Sequence, residues 1–227
     1  MKTIGLIGGM SFESTVEYYK IINSEFQKRL GGNNSAKIIL HSMNFQEIVE
    51  LQFKSEWNKL GEILSEAAVK LEKCGADYIL ICTNLMHKVA PQVEKSVSIP
   101  LLHIADVTAQ EIKNQNIHKV GLLGTVFTME EDFYKKRVED QGIEVVIPDD
   151  EDREEVSRII YKELCRGIYL EESRKKYEQV IEKMVEKGAQ GVILGCTEIP
   201  LLLNKTIVPC FNTTLIHATS AVEAAFL

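Results

Sequence analysis

A cysteine in a short polar turn, and a threonine at the matching place in a second copy of that turn, are the residues best suited to chemistry here. The cysteine is Cys196, in Gly195-Cys196-Thr197-Glu198, directly after the apolar run Val192-Ile193-Leu194. A thiol in a strand-to-helix turn can meet helix-start amides, which lower its pKa from a reference of about 8.5. A thiolate near neutrality is a competent general base. The threonine is Thr83. Aligning Gly75-Ala-Asp-Tyr-Ile-Leu-Ile-Cys82-Thr83-Asn84 with Gly188-Ala-Gln-Gly-Val-Ile-Leu-Gly195-Cys196-Thr197 sets Thr83 opposite Cys196 and Cys82 opposite Gly195.

Two further echoes extend the repeat. Ile4-Gly5-Leu6-Ile7-Gly8 resembles Val120-Gly121-Leu122-Leu123-Gly124, and Ile99-Pro100-Leu101-Leu102 resembles Val208-Pro209-Cys210-Phe211. Ordered matches of this kind read as a duplicated α/β unit. A duplicated unit can place two equivalent residues on opposite sides of a shared cleft, which suits a reaction on both faces of one carbon.

The elements that must hold these residues follow from apolar periodicity. Strands are expected at Thr3 to Ile7, Lys37 to Ser42, Tyr78 to Cys82, His118 to Gly124, Glu144 to Ile147 and Gly191 to Leu194. Helices are expected from Phe12 to Leu30 with Ser11 as cap, and from Trp57 to Cys74, Met129 to Gln141, Glu151 to Gly167 and Leu170 to Gly188. The alternation implies an α/β fold of two pseudo-symmetric lobes with mostly parallel sheets, the site lying in the cleft between them. Residues 1–104, with 210–227 returning to them, form the first lobe, and residues 105–209 the second.

Every candidate residue falls at a strand's carboxyl end. Gly8, Gly9, Met10 and Ser11 follow the first strand, and their N–H groups at a helix start would favour a carboxylate. The turn has neither a GxGxxG nor a Walker pattern. Thr83 and Asn84 follow the third strand, Gly124 and Thr125 open the second half, and Cys196 and Thr197 follow its later strand.

Composition narrows the classes. With 227 residues, 45% hydrophobic and 26% charged, the chain can bury a sizeable core. A net charge of −7 with no basic stripe argues against nucleic-acid binding. The apolar run at the N-terminus is too short for a signal peptide, and no stretch reaches the length of a membrane span. Five cysteines without CxxC spacing argue against a zinc site or disulfide framework and for reduced, cytoplasmic thiols.

Three segments together resemble the cofactor-independent aspartate/glutamate racemase superfamily, in particular its aspartate-racemase branch. They are Ile4 to Ser11, Ile81-Cys82-Thr83-Asn84-Leu85-Met86-His87, and Val192 to Pro200 with its Gly195-Cys196-Thr197-Glu198-Ile199-Pro200 core. The resemblance spans nearly the whole chain. It implies a homodimeric amino-acid racemase acting on a small-molecule amino acid without metal or pyridoxal phosphate. In such enzymes two cysteines face the α-carbon from opposite sides, one removing its proton and the other delivering one.

This chain departs from that pattern at two positions. Thr83 stands where the family commonly has its first cysteine, and Leu85 stands where it usually has threonine or serine. Cys82, one residue earlier, points to the other face of its strand. By resemblance Asn84, Thr125 and Thr197 would hold the substrate's α-amino and α-carboxylate groups, Lys162 the distal carboxylate, and Gln52 would contribute side-chain selectivity. Glu198 supports the thiol or favours a helix start, His87 reads as structural, and the acidic run Asp149 to Glu155 as a solvated helix entry. Racemisation by Cys196 and Thr83 is the leading expectation; a single-cysteine decarboxylase and a non-catalytic amino-acid or dicarboxylate binder are the alternatives.

Overall fold

The computed structural model describes residues 1–203 and 206–227. The chain divides into two compact units, Met1–Ile104 with His217–Leu227, and Ala105–Ile216. The return to the first unit therefore comes at His217 and not at residue 210. The reason lies in the sheet: Cys210–Asn212 pairs parallel with Gly191–Leu194 of the second unit.

The first unit runs β1 (Ile4–Gly8), α1 (Phe12–Leu30), β2 (Ile38–Ser42), α2 (Phe45–Phe53), α3 (Trp57–Lys73), β3 (Tyr78–Ile81), a 3-10 helix at Leu85–Val89, and α4 (Ala90–Ser96). Its three strands are parallel in the order β2-β1-β3. Alternation along β3 sends Ile79 and Ile81 into one apolar cluster with Leu60, Leu64, Ala68 and Leu71 of α3. Tyr78, Leu80 and Cys82 enter the opposite cluster with Tyr18, Ile22 and Phe26 of α1 and with Ala218, Ala221 and Val222. The i, i+4, i+8 spacing of Tyr18, Ile22 and Phe26 is what makes Phe12–Leu30 helical and turns one face inward.

The second unit follows with α5 (Ile104–Asn114), β4 (Lys119–Leu123), α6 (Val126–Glu130), α7 (Asp132–Glu139), β5 (Glu144–Val146), α8 (Asp150–Lys162), a 3-10 turn at Leu164–Arg166, α9 (Glu171–Glu186), β6 (Gly191–Leu194), α10 (Ile199–Leu202) and β7 (Cys210–Asn212); the last helix, α11 (Thr213–Phe226), starts there and belongs to the first unit from His217 on. Its sheet is parallel in the order β5-β4-β6-β7. Two expected helices differ. Met129 to Gln141 is two helices, because Thr125 caps a start at Val126 and Glu131 is extended between them. Glu151 to Gly167 ends at Lys162, and Gly167, at φ 70°, closes the 3-10 turn that follows.

The internal repeat is exact at the level of hydrogen bonds. Ile79 N–H donates to Pro100 O at 2.9 Å, and its counterpart Val192 N–H donates to Pro209 O at 2.9 Å. Cys82 N–H reaches Ile7 O at 2.9 Å, and Gly195 N–H reaches Leu123 O. Thr83 and Cys196 are thus the first residues beyond equivalent backbone bonds, each in its own unit.

Candidate active site

In the second unit the candidate residues converge. Cys196 is half-buried, and its Sγ donates to Glu198 Oε2 at 3.0 Å. Thr197 Oγ1 donates to the same oxygen at 3.0 Å, and both Thr197 and Glu198 are buried. Thr125 caps α6, its Oγ1 accepting from Thr128 N–H at 3.3 Å. The phenol of Tyr161 bonds to Thr125, which ties α8 to this end of β4.

The electrostatics differ from the expectation of a depressed thiol. Burial, then the Glu198 carboxylate and then Cys165 push the Cys196 pKa well above its ordinary value. The Glu198 backbone N–H does bond to the thiol and lowers its pKa, but burial and the Glu198 carboxylate outweigh it. Cys196 therefore rests as a protonated thiol hydrogen-bonded to Glu198. Burial, with the Glu198 carboxylate adding to it, likewise raises Tyr161 and Cys165.

Tyr161 and Cys165 belong to this cluster and are missing from the sequence reading. Tyr161 lies in α8 and Cys165 in the 3-10 turn beyond it, so only the fold brings them together. Lys162, by contrast, is the exposed last residue of α8.

In the first unit Thr83 is half-buried, followed by buried Asn84 and Leu85. β1 lies beside β3, which brings the Gly8–Ser11 turn next to Thr83; Ser14 Oγ donates to Cys82 O at 3.2 Å. Met10 and Ser11 are buried. The Gly9 amide, expected to be open to an anion, is taken by Thr15 Oγ1 at 2.8 Å, and the same hydroxyl donates to Ser11 O at 2.9 Å. Ser11 occupies the cap position of α1 without a side-chain cap bond, and this hydroxyl of Thr15 ties the turn instead. Gly9 sits at φ +82°, where a Cβ would stand 2.3 Å from Met43 O, so the turn needs glycine.

Gln52 is turned into the core of its unit, its Nε2 donating to Met86 Sδ at 3.1 Å. Cys82 is fully buried among Leu6, Tyr18 and Leu80, and burial pushes its thiol far above the ordinary range. His87 reaches back to Thr83, its Nδ1 lying 2.8 Å from the Thr83 carbonyl. Among the described residues, no group of three or more His, Cys, Asp or Glu could hold a metal ion, and no helix is long and apolar enough to cross a membrane.

Comparison with known proteins identifies the family. A profile of the Asp/Glu/Hydantoin racemase family matches residues 7–224. The broad specificity amino-acid racemase RacX of Bacillus subtilis (strain 168) is 24% identical over 225 residues, covering 97% of this chain and 96% of RacX. Among solved structures, a proposed Asp/Glu racemase from Yersinia pestis is 54% identical with a TM-score of 0.93, each chain fully covered. An aspartate racemase homologue from Pyrococcus horikoshii OT3 is 39% identical with a TM-score of 0.86, again with full coverage. An α/β chain with two parallel sheets, matched almost end to end, this protein belongs to the Asp/Glu/Hydantoin racemase family and is an isomerase of the racemase class.

Proposed function

We propose that the protein racemises aspartate, glutamate or a related amino acid by moving the α-proton between two faces, without a cofactor. The observation that carries this reading is the Cys196–Glu198 bond at 3.0 Å, placed at the repeat position equivalent to Thr83. In one direction Cys196 passes its thiol proton to Glu198 and, as thiolate, takes the α-proton; in the other, the thiol protonates the α-carbanion. Thr83 serves the opposite face by orienting a water or relaying a proton, since its hydroxyl is a far weaker base. The sealed environment of Cys82 argues for Thr83 and not Cys82 in that place. Buried Asn84, Thr125 and Thr197 would hold the α-amino and α-carboxylate groups, Met10 and Ser11 would line the site, and Lys162 would reach a distal carboxylate. Leu85, without a hydroxyl, and the likeness to a broad specificity racemase both favour a wider substrate range.

The reading includes a homodimer in the cytoplasm. Phe12, Val16 and Tyr19 form an exposed stripe on α1, and Leu40 is exposed on the edge strand β2 of the same unit. A second copy would cover such apolar surface. All five cysteines are unbridged, as suits a reducing compartment.

The experiment is proton NMR of L- and D-aspartate and L- and D-glutamate in deuterated buffer. Loss of the α-proton with appearance of the other enantiomer is expected, and Cys196→Ala should abolish both. No exchange from any of the four, or turnover retained by Cys196→Ala, would overturn the reading.

A further inference from the structure

Thr83 follows the last residue of β3, outside the strand ladder, so something other than the sheet must set the direction of its side chain. Its N–H donates to Ile81 O at 2.8 Å. Its carbonyl would, in an α-helix, accept from the amide four residues on. Here Leu85–Val89 winds as a 3-10 helix, and the His87 N–H goes to Asn84 O at 3.1 Å. The imidazole supplies a donor in its place, Nδ1 lying 2.8 Å from Thr83 O. A carbonyl only accepts, so Nδ1 carries the proton. Nε2 is then a lone pair, and the Ile104 N–H donates to it at 3.2 Å. One neutral ring is fixed from both ends.

The ring is also wedged. It is buried, edge-on to His103 at 4.4 Å and to His217 at 5.8 Å between centroids. His217 is itself pinned, its Nδ1 accepting from Tyr18 O–H at 2.8 Å and its Nε2 donating to Leu102 O at 2.8 Å. The other half of the repeat has no such device. There the position equivalent to His87 is Pro200, and the Cys196 carbonyl is served by the Ile199 backbone N–H at 3.1 Å. At the threonine, unlike at the cysteine, an imidazole stands in for the backbone donor.

We propose that His87 is a positioning residue for Thr83, its Nδ1–H holding the Thr83 carbonyl so that the hydroxyl stands where it can serve its face of the substrate. This rests on the racemase reading above. A weak proton relay depends more on placement than a thiol does, because displacement of a reacting group by an ångström can cost about a hundredfold in rate.

The test uses His87→Leu, which removes the donor, and His87→Asn, whose amide can occupy the Nδ1 position. For each enantiomer of aspartate and glutamate, kcat, KM and the ratio of α-proton exchange to inversion are measured by NMR in deuterated buffer. His87→Leu should leave KM within about twofold and lower kcat by about tenfold or more, with exchange outrunning inversion, since the Cys196 face still works. His87→Asn should recover most of the inversion. In a Thr83→Ala background, His87→Leu should change the ratio no further. Exchange and inversion falling together, Asn performing no better than Leu, or an undiminished effect in the Thr83→Ala background would overturn the proposal. Should His87→Leu fail to fold, a ratio for His87→Asn indistinguishable from wild type supports it and a raised ratio overturns it. A wild-type protein that exchanges no α-proton sinks the racemase reading itself, whereas a racemising wild type with unaltered variant ratios sinks only the role of His87.

Discussion

The thiol of Cys196 and the carboxylate of Glu198 share one hydrogen bond of 3.0 Å, and the hydroxyl of Thr197 converges on the same carboxylate oxygen. On the proposed mechanism, the acid that gives up a proton is bonded to the group that would take it. That carboxylate also holds the thiol's pKa up. Glu198 therefore has two opposed effects, and removing it separates them.

Glu198→Gln should lower the pH at which Cys196 becomes reactive, because the neighbouring negative charge is gone. It should also lower racemisation by about a hundredfold or more, because the proton acceptor is gone. Alkylation of Cys196 by iodoacetamide across pH, read alongside turnover, measures both. A reactive range that moved up or stayed in place would contradict the assigned cause of the shift.

On the proposed mechanism, Thr83→Cys replaces the weak relay of the second face with a thiol. Inversion should rise relative to exchange by about tenfold or more, since general-base efficiency improves as the pKa approaches the working pH. The exchange-to-inversion ratio in deuterated buffer reports this. An unchanged ratio would mean that Thr83 does not serve the second face.

The acid stability of the first unit should depend on His217. Burial, then His87, lower its pKa from 6.5 to about 3, against the Leu102 carbonyl, which raises it. The folded state keeps His217 neutral over a range in which the unfolded chain takes up a proton. Its contribution is fully present above about pH 6.5 and is lost as pH falls towards 3, at about 1.4 kcal/mol per pH unit. Urea midpoints at pH 7, 6, 5 and 4 should decline, and His217→Gln should flatten the decline while lowering stability at pH 7. A slope of the same size in the variant would place the acid sensitivity elsewhere.

Gly195→Ala probes the crowded turn ahead of Cys196. A Cβ there would stand 2.8 Å from Leu123 O and 2.9 Å from Leu122 Cδ1. The backbone oxygen cannot move without breaking its bond from the Gly195 amide. A destabilisation of about 1–3 kcal/mol is expected by urea unfolding, with Cys196 displaced and turnover reduced. An alanine variant as stable and active as the parent would show the turn to be looser than its contacts imply.

Much of this architecture is legible in the residues. The buried strands β1, β3, β4 and β6 are short, largely apolar runs, three of them ending at glycine or just before it, and parallel strands covered on both faces read that way. Phe12–Leu30 is visible from the spacing of Tyr18, Ile22 and Phe26. The equivalence of Thr83 and Cys196 is legible because a repeat in letters became a repeat in hydrogen bonds. β7 is less visible, three residues being too few for a periodic signal, and so the return at His217 was out of reach. The break at Glu131 depends on Thr125 setting the start of α6. Tyr161, Cys165 and the bond from His87 are tertiary facts that local spacing only hints at. A turn followed by a helix does supply an amide to Cys196, but burial and the Glu198 carboxylate, both tertiary facts, set the direction of its shift.

The first unit is built from two separated stretches of chain, with the whole of Ala105–Ile216 lying between them. During synthesis the second unit is therefore finished while the first still lacks Ala218, Ala221, Val222 and Ala225 on one face of its sheet. Until those residues arrive, Tyr18 has no His217 to donate to and Leu6 and Leu80 are only partly covered. The first unit is completed only by the returning segment from His217 to Leu227.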